Sequence, residues 1–251
     1  MKGYAPKIIT DITFNAKEKI YPNGYRHITA ASRSIFREPG WEPIGKSIDD
    51  KMPKPQNKDT EVRDDSVRRA KTKIFDIAML NDFDYFFTGT LDSSVIERDN
   101  PEAVSKAIKT FFKNMVCRYD VSYLLVPEYH KDGKNIHVHG FIKGNLSLVD
   151  SGKRTKDGKI IYNWLDWKFG FTTVIPLTGD KLHAAKYITK YISKDFKKIF
   201  GNFYYAGGPI VRKPQIRYYD IDFDSIDAKE YMAPNANVVF KYLSIDAESL
   251  E

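Results

Sequence analysis

The segment 121–143 constrains the fold more than any other part of the chain. Two runs rich in β-branched and aromatic residues, 121–129 and 135–143, flank the pair Asp132-Gly133. An Asp-Gly pair between two such runs is typical of a tight turn that joins antiparallel strands. We therefore expect an antiparallel sheet that contains this hairpin.

Helical and strand patterns surround the hairpin. Apolar residues recur at helical spacing in three segments, which are residues 65–80, 101–117 and 180–196. Asn100-Pro101 supplies an N-cap residue and a proline in the first turn for the second helix. The runs 85–91 and 171–177 predict two more strands, and 202–214 is predicted as a loop or strand. This order predicts the α+β class, with helices packed on an antiparallel sheet.

Composition divides the chain into three parts. Residues 1–62 are punctuated by glycine and proline and are predicted to be an N-terminal arm and linker. Residues 63–220 carry the helical and strand patterns and are predicted to be the folded domain. Residues 221–251 are predicted to be a C-terminal tail.

Charge and cysteine content limit the function classes. The net charge of +7 favours a polyanionic partner, although many basic proteins bind no nucleic acid. Cys117 is the one cysteine, so a disulfide framework and a cysteine-based zinc site are excluded within one chain. Residues 1–10 lack an apolar core of signal-peptide length, and no run approaches the ~18 apolar residues of a membrane span. We expect a cytoplasmic protein without a membrane partner.

His137-Val138-His139 is the sharpest motif. Residues i and i+2 of a strand point to the same face, so the two imidazoles lie side by side and suit a divalent metal. Glu128 ends the preceding strand and is the candidate third ligand across the hairpin. His130 competes for that role but lies nearer the turn. Two half-exposed histidines on an amphipathic strand are the alternative interpretation.

The segment 186–194 carries a second motif. Tyr187 and Tyr191 are four residues apart and share one helix face, and Lys190 and Lys194 each follow a tyrosine by three residues. A lysine beside a phenol favours ionisation of the phenol and neutralises charge on a phosphoryl oxygen. The alternative is an amphipathic helix whose tyrosines pack on the sheet.

Together these motifs resemble those of the HUH endonucleases, specifically the rolling-circle replication initiators of small phages and plasmids with two tyrosines. Residues 86–92, Phe-Phe-Thr-Gly-Thr-Leu-Asp, look like the first family motif, with Gly89 where the family usually has leucine. His137-Val138-His139 is similar to the metal motif, and residues 187–194 are similar to the catalytic motif. The resemblance covers about residues 65–215.

The resemblance implies an RRM-like antiparallel sheet with a metal site at its centre. It implies Mg²⁺ or Mn²⁺ at His137, His139 and Glu128, although two histidines by themselves do not favour Mg²⁺. It also implies nicking of single-stranded origin DNA, in a hairpin, through a covalent 5′-phosphotyrosine. Tyr191 looks most like the nucleophile of single-tyrosine relatives, and Tyr187 would then be the second tyrosine.

Other functions remain open on the sequence alone. A transposase or relaxase of the same superfamily would share the site, a zinc-dependent hydrolase would leave no covalent DNA adduct, and a non-catalytic RRM-like module would bind nucleic acid only. Residues 40–47 match the Walker A pattern, but Pro43 removes a backbone donor and a proline-rich linker follows. We therefore expect no ATP site, and a host helicase and polymerase as partners.

Overall fold

The computed structural model describes residues 12–38, 64–130, 132–133, 135–192, 202–232 and 237–246. The chain divides into two compact units, one formed by Met1–Asn57 with Pro214–Glu251 and the other by Lys58–Lys213. The described residues form three α-helices and twelve strands: β1 (Ala16–Ile20), β2 (Arg26–Ala31), α1 (Asp64–Leu80), β3 (Tyr85–Leu91), α2 (Pro101–Tyr119), β4 (Ser122–Tyr129), β5 (Ile136–Lys143), β6 (Leu148–Arg154), β7 (Ile160–Trp164), β8 (Gly170–Pro176), α3 (Lys181–Ile188), β9 (Tyr205–Gly207), β10 (Gln215–Tyr219), β11 (Glu230–Met232) and β12 (Val239–Ile245).

The second unit is built on a seven-stranded antiparallel sheet. Its strand order is β6-β7-β8-β3-β5-β4-β9. β4 and β5 pair as the predicted hairpin, with Glu128 opposite His137. The predicted α+β class with an antiparallel sheet is therefore confirmed, and the architecture is consistent with an RRM-like fold.

One face of this sheet carries the hydrophobic core. Phe87 on β3, Leu125 on β4 and Val138 on β5 are buried there against α2, which contributes Ile108 and Phe112. α2 begins where the sequence predicts, because the Asn100 side chain accepts hydrogen bonds from the backbone N–H groups of the first turn. This face leaves the opposite face for polar side chains.

The opposite face presents three rows of side chains that run across β8, β3, β5 and β4. Cross-strand partners project to the same side of a sheet, so register places them together. The first row is Phe171, Thr90, His137 and Glu128; the second is Thr173, Thr88, His139 and Val126; the third is Ile175, Phe86, Phe141 and Leu124. α1 packs with α3, and α3 brings Tyr187 and Tyr191 against Phe86 of the third row.

The first unit contains a five-stranded antiparallel sheet of order β10-β1-β2-β12-β11. β1 pairs with β10 from Ala16 opposite Tyr219 to Ile20 opposite Gln215. Sequence-based boundaries placed β1 in an arm, β10 in the main domain and β12 in a tail, whereas these strands share one sheet. The pairing is between segments far apart in the sequence, and local composition carries no record of it.

Three local predictions differ from the structure. α3 ends at Ile188 and continues as a single 3₁₀ turn, Thr189–Tyr191, where a helix to residue 196 was predicted. The hairpin of β6 and β7 was not predicted, because β6 is largely exposed and polar. The segment 40–47 and Lys194 lie outside the described residues. None of the described helices has the length and apolar character needed to cross a membrane.

Candidate nucleotidyl-transfer site

The two histidines of β5 lie on the polar face of the sheet, as their alternation predicts. Val138 between them is buried in the core on the other side. Glu128 is the register partner of His137 on β4. The hairpin therefore brings the three predicted ligands into neighbouring positions on one face.

His139 is the most enclosed of these side chains. Its Nε2 lies 3.1 Å from Oε2 of Glu128, and its Nδ1 lies 3.1 Å from the hydroxyl oxygen of Thr88. Burial, followed by the neighbouring His137, lowers the pKa of His139 to about 4. Burial also raises the pKa of Glu128 above its ordinary value, although His130 partly opposes this. At neutral pH the imidazole is therefore uncharged and available as a ligand.

His137 is held in a similar way by a second threonine. Its Nδ1 lies 3.4 Å from the hydroxyl oxygen of Thr90, and its ring stacks on His130 with 5.0 Å between centres. Burial is the main cause that lowers the pKa of His137 below the ordinary value, followed by the charges of His130 and Arg98. His130, the competing ligand candidate, thus lies against His137, with its Nδ1 3.6 Å from Asp132.

The donor set fits a divalent cation in its chemistry. If the Nδ1 proton of His139 points to Thr88, the Nε2 lone pair and the Glu128 carboxylate oxygen face each other, and a shared proton or a cation is needed between them. A metal ion displaces such a proton on binding. The two threonine hydroxyls fix the Nδ1 side of each ring, which is the role of the outer hydrogen bonds around metal-ligating histidines.

The side chains do not form a closed ligand cluster as they stand. The rings of His137 and His139 are nearly parallel, with 8° between planes and 6.2 Å between centres. Two imidazoles that share one ion bring their nitrogens to roughly 3–4 Å, given bonds of about 2.1 Å. In the part of the chain that the structure describes, no group of three His, Cys, Asp or Glu side chains is already arranged to hold a metal. The His137 ring has to turn toward His139 for both to bind one ion.

Tyr191 is in direct contact with this group. Its ring stacks on the imidazole of His139 with 3.9 Å between centres and 17° between planes. Its hydroxyl donates a hydrogen bond of 2.6 Å to the hydroxyl of Tyr187. Burial, the bond to Tyr187 and the charge of Glu128 raise the pKa of Tyr191 well above the ordinary value of a tyrosine. The phenol is therefore protonated at neutral pH.

The two tyrosines belong to a helix that tightens at its end. The Asp180 side chain caps the start of α3 by accepting a hydrogen bond from the backbone N–H of Leu182. Thr189 donates from its hydroxyl to the carbonyl of Lys186, where the α-helix gives way to the 3₁₀ turn that ends with Tyr191. A threonine that bonds to the backbone in this way competes with regular helix.

Of the two predicted lysines, one is described. The Lys190 ammonium lies over the ring of Tyr187, 5.6 Å from its centre. This contact agrees with the expectation that the lysine and Tyr187 are neighbours. The expected easier ionisation of a phenol does not hold for Tyr191, because burial and its protein neighbours raise its pKa.

Sequence reasoning assigned no role to four side chains of this face: Phe86, Thr88, Thr90 and Phe171. The ring of Phe86 lies 5.7 Å from that of Tyr187 and 6.2 Å from that of Tyr191, and so supports both tyrosines. The alternation of Phe86, Thr88 and Thr90 marks one strand face, but only the register with β5 shows that this face meets the histidines.

Gly89 faces the other side of β3, in the core. A Cβ atom at this position would lie 2.7 Å from the Phe87 ring and 2.8 Å from the Trp167 ring. These two rings fill the space that a leucine side chain would take. The departure from the resembled motif at Gly89 is thus matched by the packing of the core and does not alter the polar face.

Comparison with known proteins gives one match. Residues 84–196 match the family model of the replication-associated protein ORF2. The matched range extends from just before β3 into the segment after the 3₁₀ turn, and it includes both histidines, Glu128 and both tyrosines. It is somewhat less than half of the chain. Neither the curated proteins nor the solved structures give a significant match.

Proposed function

We propose that this protein initiates DNA replication by nicking single-stranded origin DNA with Tyr191 and remaining attached to the 5′ phosphate. The observation that carries the proposal is the stacking of Tyr191 on His139, whose Nε2 also faces Glu128. A potential nucleophile thus contacts a potential metal ligand. The match of residues 84–196 to a replication-associated family supports the same interpretation.

His137, His139 and Glu128 would hold the metal ion, and Mg²⁺ or Mn²⁺ is our proposal for its identity. When bound, such an ion withdraws charge from a phosphate oxygen and lowers the barrier to attack at phosphorus. The protein contributes a neutral imidazole at His139 and a carboxylate beside it. Thr88 and Thr90 orient the two rings toward the ion.

Tyr191 carries out the transfer. Its hydroxyl oxygen attacks the phosphorus in line, the bond from phosphorus to the 3′ oxygen breaks, and a phosphotyrosine forms at the 5′ end. The phenol proton leaves to solvent through the hydrogen bond to the partly exposed Tyr187, and the departing 3′ oxygen takes up a proton to become a hydroxyl. This hydroxyl primes synthesis, while the phosphotyrosine conserves the bond for rejoining.

Tyr187 acts in the second transfer. It lies one helical turn from Tyr191 and is more exposed, so a newly made strand reaches it while the first strand remains attached to Tyr191. Lys190 above its ring, and Lys194 in the following turn of sequence, would neutralise charge at the phosphate. Unpaired DNA in an origin hairpin is the substrate, and a host helicase and polymerase extend the primed strand.

The test is an incubation of the protein with labelled single-stranded DNA and Mn²⁺, followed by a denaturing gel. We expect a protein–DNA band that survives SDS, requires the metal and disappears in His137→Ala. Cleavage without this band would contradict the proposal and indicate a hydrolase. Binding without either cleavage or metal uptake would indicate a non-catalytic module instead.

A further inference from the structure

A cleft lies between the first half of α1 and the segment that leads into β9. Its volume is about 540 Å³. The wall from α1 is formed by Ser66, Arg69, Ala70 and Lys73, and the facing wall by residues 202–206 with Arg212. None of these residues belongs to the group around His139 and Tyr191.

The lining of the cleft is cationic and aromatic. Arg69, Lys73 and Arg212 contribute three positive charges, and Tyr204 contributes an aromatic ring, while no carboxylate is among the lining residues. Within the described ranges none of the three cations forms a salt bridge to a carboxylate. Such charges attract a polyanion, and an aromatic ring beside them offers a surface on which a base stacks.

Hydrogen bonds hold the far wall in place. Asn81, at the end of α1, donates to the carbonyl of Val211 and accepts from its backbone N–H, both at 2.8 Å. The adjacent Arg212 donates to the carbonyl of Ala206 at 2.8 Å. The guanidinium is therefore positioned before any ligand arrives, which reduces the entropy lost on binding.

The cleft is close to the proposed site along β4. Tyr205 pairs with Leu125, which is three residues before Glu128 on the same strand. At ~3.3 Å per residue this is about 10 Å along the strand, a distance that a few nucleotides of extended single strand cover.

We propose that this cleft binds the phosphates and a base of single-stranded DNA a few nucleotides away from the nick. Arg69, Lys73 and Arg212 contact phosphates, and Tyr204 stacks on the base. The inference deepens the proposed function and rests on it for the identity of the DNA. It adds a second anchoring point outside the catalytic group.

The test compares the affinities of fluorescein-labelled oligothymidylates of about 6 and about 15 nucleotides, within the range of single-strand site sizes. In the native protein the longer oligonucleotide binds more tightly, because it spans both the site and the cleft. In Arg69→Ala/Lys73→Ala this gain falls by about tenfold or more, and the slope of log K against log salt falls by ~1.4, which is ~0.7 for each phosphate that is no longer neutralised. Affinity for the short oligonucleotide stays nearly constant.

Lys106→Ala/Lys113→Ala is the matched control, since it removes two exposed charges from α2 on the other face of the sheet. A second pair, Tyr204→Ala and Tyr204→Phe, tests the ring: the first weakens binding of the long oligonucleotide and the second preserves it. Equal losses in the α1 and α2 variants, or no loss in either, would overturn the inference.

The covalent gel assay on the same proteins separates this inference from the proposed function. An adduct with no effect of the α1 variant overturns the cleft alone. A length-dependent effect of the α1 variant without an adduct supports the cleft as a DNA-binding surface and contradicts the nicking activity.

Discussion

The phenol ring of Tyr191 lies flat on the imidazole of His139, 3.9 Å away between ring centres. The same imidazole meets Glu128 at one ring nitrogen and Thr88 at the other. One side chain therefore connects the candidate nucleophile, the candidate metal ligands and the strand that orients them. A displacement of His139 alters all three at once.

Phe86 is expected to position the tyrosines. Its ring contacts those of Tyr187, Tyr191 and His139. Phe86→Leu removes these contacts while keeping an apolar side chain, and we expect the rate of adduct formation to fall by about tenfold or more, since small misplacements of reacting groups are costly. Phe83→Leu, at a ring that packs on Phe141, is the control. Equal rates in single-turnover assays of the two variants would argue against this role.

Thr88 is expected to raise the metal affinity of His139. Thr88→Val keeps the shape but removes the hydroxyl at Nδ1, and we expect Mn²⁺ binding by calorimetry to weaken by about 10-fold to 100-fold, as for other outer hydrogen bonds at metal sites. Thr88→Ser should retain the affinity. Thr173→Val makes the same change one strand away in the same row and should have little effect. An unchanged affinity in Thr88→Val would show that the hydroxyl does not orient the ring.

Phe171 is expected to stack on a DNA base. It is 74% exposed on the polar face and pairs with Thr90, the neighbour of His137. Phe171→Ala should lower single-strand affinity by about 1–3 kcal/mol without loss of stability, and Phe171→Trp should retain it. Tyr119→Ala, at an exposed aromatic residue at the end of α2, is the control in the same anisotropy titration. A loss of the same size in both variants would leave no special role for Phe171.

Gly140 is expected to be essential for the pairing of β4 with β5. A Cβ atom there would lie 2.3 Å from the backbone carbonyl oxygen of Leu124, which has no freedom to move away. Gly140→Ala should therefore destabilise the protein by about 3 kcal/mol or more, at the upper end for overpacked sites. Gly133→Ala meets open space and should cost about 1–2 kcal/mol through its positive φ alone. Urea unfolding should rank the two variants in this order, and the reverse order would show that β4 and β5 can separate to admit the methyl group.

The sequence predicts the hairpin and the helix starts because their signals are local. Asp132-Gly133 and Asn100-Pro101 each act within a few residues, and the two histidines alternate on one strand. Strand register is not local: nothing in residues 85–91 alone indicates that Thr88 and Thr90 stand opposite His139 and His137.

Long-range pairing accounts for most of what the sequence does not reveal. β1 near the start of the chain and β10 near its end form one ladder, although each segment alone resembles an arm or a connection. β6 is polar on both faces and gives no period-2 pattern. The end of α3 depends on one threonine that competes for a backbone carbonyl.

The most direct measurement is the mass of the protein after incubation with single-stranded DNA and Mn²⁺, followed by peptide mapping of the adduct. We predict an added mass equal to the 3′ fragment of the DNA with its 5′ phosphate, located on Tyr191. We also predict that Tyr191→Phe loses the first transfer, while Tyr187→Phe retains it. An adduct on another residue, or cleaved DNA with no added mass on the protein, would contradict the proposed mechanism.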